Sequence, residues 1–211
     1  MKRISLIICI IAAMMASLNL KAQNPEEVAE RMSAELEKGD SLGMSFDFVM
    51  SIPLLGSFRT TNYTLGDKMR IDIDEKGKTN VTWSDGTTDW NYDAEKNEVK
   101  ITKAKPKDEN DNKGDAGLAK GVTEGYDLSF DRDTNDHTWY ITCKKNKDNK
   151  DKDDPKRIEM AVARDTYLPL YVKTKAKGIK ISMENFKIGV SEADVTFDPS
   201  KYPNAKIIDE R

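Results

Sequence analysis

The chain predicts a mainly β fold with an N-terminal helix, and three observations predict it. Apolar and polar residues alternate with period two over most of the length after residue 45, the links between these runs are mostly short, and one segment near the start has helical spacing instead. The helix comes first. Asn24 can cap it, Pro25 suits its first position and Glu27 sits where a capping box places an acid. Val28, Met32 and Leu36 are four apart and form one apolar stripe, and Gly39 ends a helix of about 14 residues.

The strands follow in order. Phe46, Phe48, Met50 and Ile52 point one way; Met69, Ile71 and Ile73 alternate with Arg70, Asp72 and Asp74. Val81 with Trp83, Trp90 with Tyr92, and Val99 with Ile101 continue the pattern, with turns at Asp85-Gly86 and Glu95-Lys96-Asn97. Then come Tyr126, Leu128 and Phe130; Trp139, Ile141 and Cys143; Ile158, Met160 and Val162; and Leu168, Leu170 and Val172. Ile179, Ile181 and Met183 are odd positions whereas Phe186 and Ile188 are even, so a bulge is expected at Glu184-Asn185. Val195 and Phe197 close the series before Asp198-Pro199. The total of about eleven or twelve strands reads as an antiparallel meander. Two links, 104–125 and 144–156, are long, densely charged with mixed sign, and read as solvated loops; no fixed-period repeat is present.

Ten strands side by side span ~48 Å at ~4.8 Å each. A helix of this length spans ~21 Å at ~1.5 Å per residue. It cannot cover such a sheet, so the sheet must curl around its own apolar face. The pattern leaves open whether side chains fill the interior or a ligand cavity remains.

Composition bounds the function. The 211 residues carry 34 Lys+Arg and 37 Asp+Glu, a formal charge of -3. Residues 1–22 hold three of the bases and no acid, which leaves 31 bases against 37 acids, or -6. That balance speaks against nucleic acid as a partner. Met1-Lys2-Arg3, the apolar run Ile4 to Ala16 and Leu20-Lys21-Ala22 form the three parts of a secretory signal peptide, 1–22, expected to be cleaved after Ala22. The run is too short to span a bilayer. The remaining residues, 23–211, form one domain, expected to be exported, soluble after cleavage and monomeric.

Catalytic and metal-binding patterns are weak. Cys143 is the one cysteine outside the leader and reads as a buried small hydrophobe, because the lone histidine, His137, lies six residues away along the same strand pattern. Asp108, Asn110 and Asn112 begin like a calcium loop, but Lys113 stands at the glycine position and Ala119 at the glutamate position. Asp131, Asp133 and Asn135 fail in the same way, and both stretches read as acidic turns. Asp72 and Asp74 share a face and are expected to meet solvent. There is no G-x-S-x-G, no H-E-x-x-H and no phosphate-binding glycine loop. No enzyme, cofactor or metal is indicated.

The stretch Ser84-Asp85-Gly86-Thr87-Thr88-Asp89-Trp90-Asn91-Tyr92-Asp93, followed by Glu98-Val99-Lys100-Ile101, resembles a segment of the LolA-like family of periplasmic lipoprotein carriers. Gly66-Asp67-Lys68-Met69-Arg70-Ile71, Leu168-Pro169, Asn185-Phe186, Phe197-Asp198-Pro199 and the end from Tyr202-Pro203 to Ile207-Ile208-Asp209 also sit where such proteins have them. The likeness covers roughly residues 24–209 and is specific over 84–101. It implies an incomplete, half-open antiparallel β-barrel with an N-terminal helix over an apolar cavity. It also implies an acylated lipoprotein or other acyl lipid as ligand, an inner-membrane exporter and an outer-membrane receptor.

The expected lipid-binding residues are Phe46, Phe48, Met50, Met69, Ile71, Trp83, Trp90, Tyr92, Met160 and Val162, each of which also fits ordinary core. The family's Arg-Pro pair, linked to lid closure and release, is replaced here by Thr64-Leu65-Gly66, and its lid helices fall at the charged loop 104–125. The alternative is a non-transport module, an envelope sensor or scaffold, that meets a protein partner through loops 104–125 and 144–156.

Overall fold

The computed structural model describes residues 24–75, 77–105 and 124–211. Residues 1–22, expected as a leader, the calcium-like stretch at Asp108 and most of loop 104–125 lie outside the described residues.

Helix α1 (Pro25–Glu37) begins at Asn24, whose side-chain oxygen accepts from the Glu27 amide at 2.7 Å. Val28, Met32 and Leu36 are buried, as their spacing predicts. The Glu27 carboxylate pairs with Arg31 at 2.8 Å rather than closing a capping box. Gly39 does not end the helical region: Lys38 is the C-cap, a short turn α2 (Gly39–Leu42) follows, and Gly43, at φ 77°, makes the left-handed exit.

Twelve strands follow: β1 (Met44–Ile52), β2 (Gly56–Leu65), β3 (Lys68–Glu75), β4 (Lys78–Ser84), β5 (Thr88–Asp93), β6 (Glu98–Lys103), β7 (Tyr126–Phe130), β8 (Thr138–Lys145), β9 (Arg157–Ala163), β10 (Pro169–Ala176), β11 (Ile179–Ile188) and β12 (Lys206–Asp209). Between β11 and β12 lie a helical turn α3 (Glu192–Val195) and a 3-10 turn (Pro199–Lys201). The run at Val195 and Phe197, expected as a strand, is therefore part of a coiled segment; the last strand is the C-terminal Lys206–Asp209, which pairs in parallel with β6.

All twelve strands form one open sheet in the order β12-β6-β5-β4-β3-β2-β1-β11-β10-β9-β8-β7. Apart from β12 the pairing is antiparallel throughout. It comprises two meanders, β1–β6 and β7–β11, joined where β1 pairs with β11. This is the open antiparallel sheet with an N-terminal helix that the LolA-like resemblance implies.

The bulge appears where the parity changes. One residue of β1, Phe46, faces Asn185 and Phe186 of β11, and Asn185 adopts φ 58°. A second bulge was not legible: between Pro169 and Tyr171, Leu170 is extruded from the β9–β10 ladder and is 48% exposed, so it does not share a face with Val172.

The main core lies under α1. Val28, Met32 and Leu36 pack with Trp139, Ile141, Cys143, Met160 and Val162 of β8 and β9. Met160 is 1% exposed and Val162 fully buried, so both are interior to this helix–sheet contact, not to an open lining. Met160→Ala should lower the unfolding free energy by about 2–5 kcal/mol, the cost of a cavity at a site enclosed on all sides. Urea denaturation followed by tryptophan fluorescence measures it; a loss well under 1 kcal/mol would show that α1 does not seal this core.

Candidate functional site

Strand register assigns each expected lining residue to a face. Cross-strand partners share a face in an antiparallel pair. From β7 to β3 the apolar side chains share the face that α1 covers: Met160 is opposite Val172, Val172 opposite Met183, Met183 opposite Phe48, and Met50 opposite Phe58. Met69, Ile71 and Ile73 of β3 continue on this face opposite Thr64, Asn62 and Thr60.

Between β3 and β4 the apolar face changes side. Ile71 is paired with Thr82 and Met69 with Ser84, whereas Trp83 is paired with Arg70 and Val81 with Asp72. Trp83, Trp90 and Tyr92 therefore lie on the face opposite Phe46, Phe48, Met50, Met69, Ile71, Met160 and Val162. The expectation that all ten line one interior does not hold. The closing pair Glu75–Lys78 leaves positions 76 and 77 between strands, which fixes this register; one residue more or fewer would exchange the faces of β4.

The displaced aromatics have their own cover. The segment after β11 places Phe197 5.3 Å from Trp83 and 5.9 Å from Trp90, and Tyr202 4.5 Å from Tyr92, centroid to centroid. Arg70 stands beside this cluster, 5.2 Å from the Tyr63 ring and 5.9 Å from Trp83, and donates two 2.7 Å hydrogen bonds to Asp72. Burial pulls the Arg70 guanidinium pKa down, but the Asp72 carboxylate outweighs it and holds the group above its ordinary value. Asp72 is thus a half-buried partner of Arg70, not a solvent-facing acid, while Asp74 accepts from Thr79.

What remains on the helix-bearing face is a partly accessible apolar strip between the α1 core and the polar face of β4. Phe48, Met50 and Ile52 of β1 and Ile179, Ile181 and Met183 of β11 form its larger part, each partly accessible. Met69, Ile71 and Ile73 form a smaller part beyond a polar step at Thr60 and Asn62, which are hydrogen-bonded at 3.0 Å. Asn80 and Thr82 of β4 bound it, with Thr82 bonded to Asn91. Of the residues expected to bind lipid, Phe48, Met50, Met69 and Ile71 lie on this strip; Ile179, Ile181 and Met183 join them, and their odd parity before the bulge is the sequence signal that places them there.

On the reverse side, β1, β9, β10 and β11 form a groove of about 570 Å³ that holds Lys156, Arg157, Lys173, Lys175 and Lys180 against Glu159 and Glu184. No group of three or more metal-ligating side chains occurs among the described residues.

Cys143 and His137 do not form a pair. The histidine is exposed at the start of β8, and the thiol is fully buried six positions along, about 20 Å at ~3.3 Å per residue. Burial pushes the Cys143 thiol up to about 12, from an ordinary value near 9. A thiol raised on folding stabilises the native state below its unfolded pKa and loses that contribution as pH rises through about 9 to 12.

No protein-family model matches the chain, and no curated protein matches it in sequence. Solved structures do resemble it. LprF from Mycobacterium bovis aligns over 83% of this chain and 99% of its own, at 10% identity and a TM-score of 0.48. A LolA superfamily protein from Nitrosomonas europaea aligns over 84% and 99%, at 11% identity and 0.33. MucB, in the Pseudomonas aeruginosa MucA/MucB complex, aligns over 82% of this chain and 61% of its own, at 12% identity and 0.45. The likeness is one of strand arrangement. No helix among the described residues is long and apolar enough to cross a membrane.

Two outcomes test the two packed regions. Ellman's reagent should label Cys143 in the native chain only at the rate of global unfolding, and rapid labelling at neutral pH would contradict its burial. Trp83→Ala should destabilise the chain by about 3–5 kcal/mol by opening the contact with Phe197 and Tyr202. It should leave uptake of a fluorescent fatty-acid probe unchanged, because Trp83 faces away from the strip; a parallel loss of uptake would show the faces to be coupled.

Proposed function

We propose that this chain is a periplasmic carrier that holds the acyl chain of a lipoprotein, or of another acyl lipid, along the strip of β1, β11 and β3, and moves it toward the outer membrane. The observation that carries the reading is the strip itself: six apolar side chains on two adjacent strands, all partly exposed, beside a core that α1 seals completely. A soluble domain rarely leaves such a contiguous patch without an occupant.

The dimensions suit an extended chain. Phe48 to Ile52 runs four residues, about 14 Å at ~3.4 Å per residue, so the strip lies along much of an extended acyl chain. The energetics suit one as well. An acyl chain of about 16 carbons gains ~12 kcal/mol on leaving water, at ~0.8 kcal/mol per methylene. A strip covering one side of it returns part of that gain, enough to hold the chain while leaving the far side open for transfer. The reading assigns no bond-breaking step and no cofactor.

Mass spectrometry of an organic extract of the protein, purified without detergent, tests this directly. Acyl lipid at stoichiometric amount supports the carrier. Met50→Asp and Ile181→Asp, each at a partly accessible position, should lower affinity for a fluorescent fatty-acid probe by more than about tenfold while the chain stays folded. A clean extract together with no probe uptake by the unmodified protein overturns the reading. It would turn attention to a protein partner at loop 144–156, where deletion of residues 146–153 would then abolish partner capture.

A further inference from the structure

The β1–β2 hairpin ends in an unusual tip. Leu54 and Leu55 are 106% and 82% exposed, and Phe58 is 45% exposed on the same hairpin. Pro53-Leu54-Leu55 forms the turn, closed by the Leu55 amide donating to the Ile52 carbonyl at 3.2 Å. Leu54 sits at φ 67°, where glycine or asparagine is the ordinary choice and a leucine is strained. A strained and fully exposed leucine contributes nothing to packing, so neither the backbone nor the core accounts for it.

A second feature lies beside the tip. β11 pairs with β1 through Lys180 and Ser51, one residue short of the end of β1, and Lys180 also faces Lys175 directly across the β10–β11 ladder. Like charges in that arrangement repel, and neither lysine is in an ion pair with another described residue. Lys177 occupies the adjoining turn, and its partner Asp153 is as exposed as it is. The opposite flank has no such excess: β3 ends in Asp74 and Glu75, which Lys76 and Lys78 follow in the chain and balance.

We propose that this hairpin is a membrane-docking element whose leucine tip enters an anionic lipid surface while Lys175, Lys177 and Lys180 rest on the headgroups. Leu54 lies three residues beyond Ser51, up to about 10 Å at ~3.3 Å per residue, so a tip inserted to the acyl boundary brings Lys180 to headgroup depth. Bilayer charge complements the lysines, and the apolar tip makes a polar protein surface the poorer fit. The tip is continuous, through Ile52, Phe58 and Met50, with the apolar strip. The proposal extends the acyl-carrier reading but does not need it.

Flotation of the purified chain with vesicles of phosphatidylcholine alone, or mixed with phosphatidylglycerol, tests it. The chain should float with the anionic vesicles and less with the neutral ones. Leu54→Asp with Leu55→Asp should cut partitioning by more than about tenfold. Circular dichroism should be unchanged, since these side chains pack against nothing, and so should fatty-acid probe uptake. Lys175→Glu with Lys180→Glu should remove the anionic preference, about fivefold per charge. Failure to float with either composition, or a leucine variant that floats like the unmodified chain, overturns the proposal; the former result would leave the tip to a protein partner. Probe uptake lost with flotation retained would count against the acyl strip and not against docking.

Discussion

The pairing of β1 with β11 is the constraint on which the sheet depends. It joins the first strand to the last long strand, Met44 opposite Ile188, and both meanders hang from it. Neither meander alone would place apolar strands on both sides of β1. Closing a loop of this length costs entropy that only the completed ladder returns. The ladder is also the one with the bulge at Phe46, where Asn185 takes a left-handed conformation and its side-chain amide donates to Asp47 at 2.8 Å. Without that extra residue, Phe186 and Ile188 could not share a face with Met183. The bulge lets Phe186 stack on Phe46 at 5.5 Å and lets β11 serve both the core and the strip.

The second constraint is the change of apolar face between β3 and β4. It divides the molecule into two covered regions. On one face α1 seals β7 to β10; on the other, the segment from Val195 to Tyr202 packs on Trp83, Trp90 and Tyr92. Arg70 belongs to the boundary, since it sits on the last strand before the change and reaches both Asp72 and the aromatic cluster. A sheet of this width with a single helix therefore need not curl tightly around one interior. Two thin covers on opposite faces bury the apolar residues toward its two ends and leave those of the middle strands partly accessible.

That middle is where function is read. Its apolar residues are neither buried enough to be core nor scattered enough to be ordinary surface. They run without interruption from Met183 and Phe48 toward the β1–β2 tip. An acyl-binding strip and a lipid-facing tip that share β1 would let a bound chain pass between protein and membrane along a single apolar track, with little exposure to water.

The sequence by itself determined the elements. Most of the period-two runs, the Asn24 cap, the Val28-Met32-Leu36 stripe, the turns at Gly86 and Asn97 and the bulge at Asn185 follow from local backbone chemistry and are where residue order placed them; β2 and β12 showed no such run, and the run at Val195 and Phe197 is not a strand. The resemblance over residues 84–101 pointed to the right open sheet. What residue order did not determine was which apolar faces coincide. Alternation shows that a strand has two faces, but the register between strands decides which of them meet. That register rests on the two positions left between β3 and β4, on the extruded Leu170 and on where the C-terminal segment folds back. Trp83, Trp90 and Tyr92 read like Ile71 and Met50 along the chain, and only long-range pairing placed them on opposite sides. Met160 and Val162 carry the same pattern as Met50, and only the docking of α1 made them core. Burial is a property of what packs against a residue, and that partner is chosen by the tertiary structure.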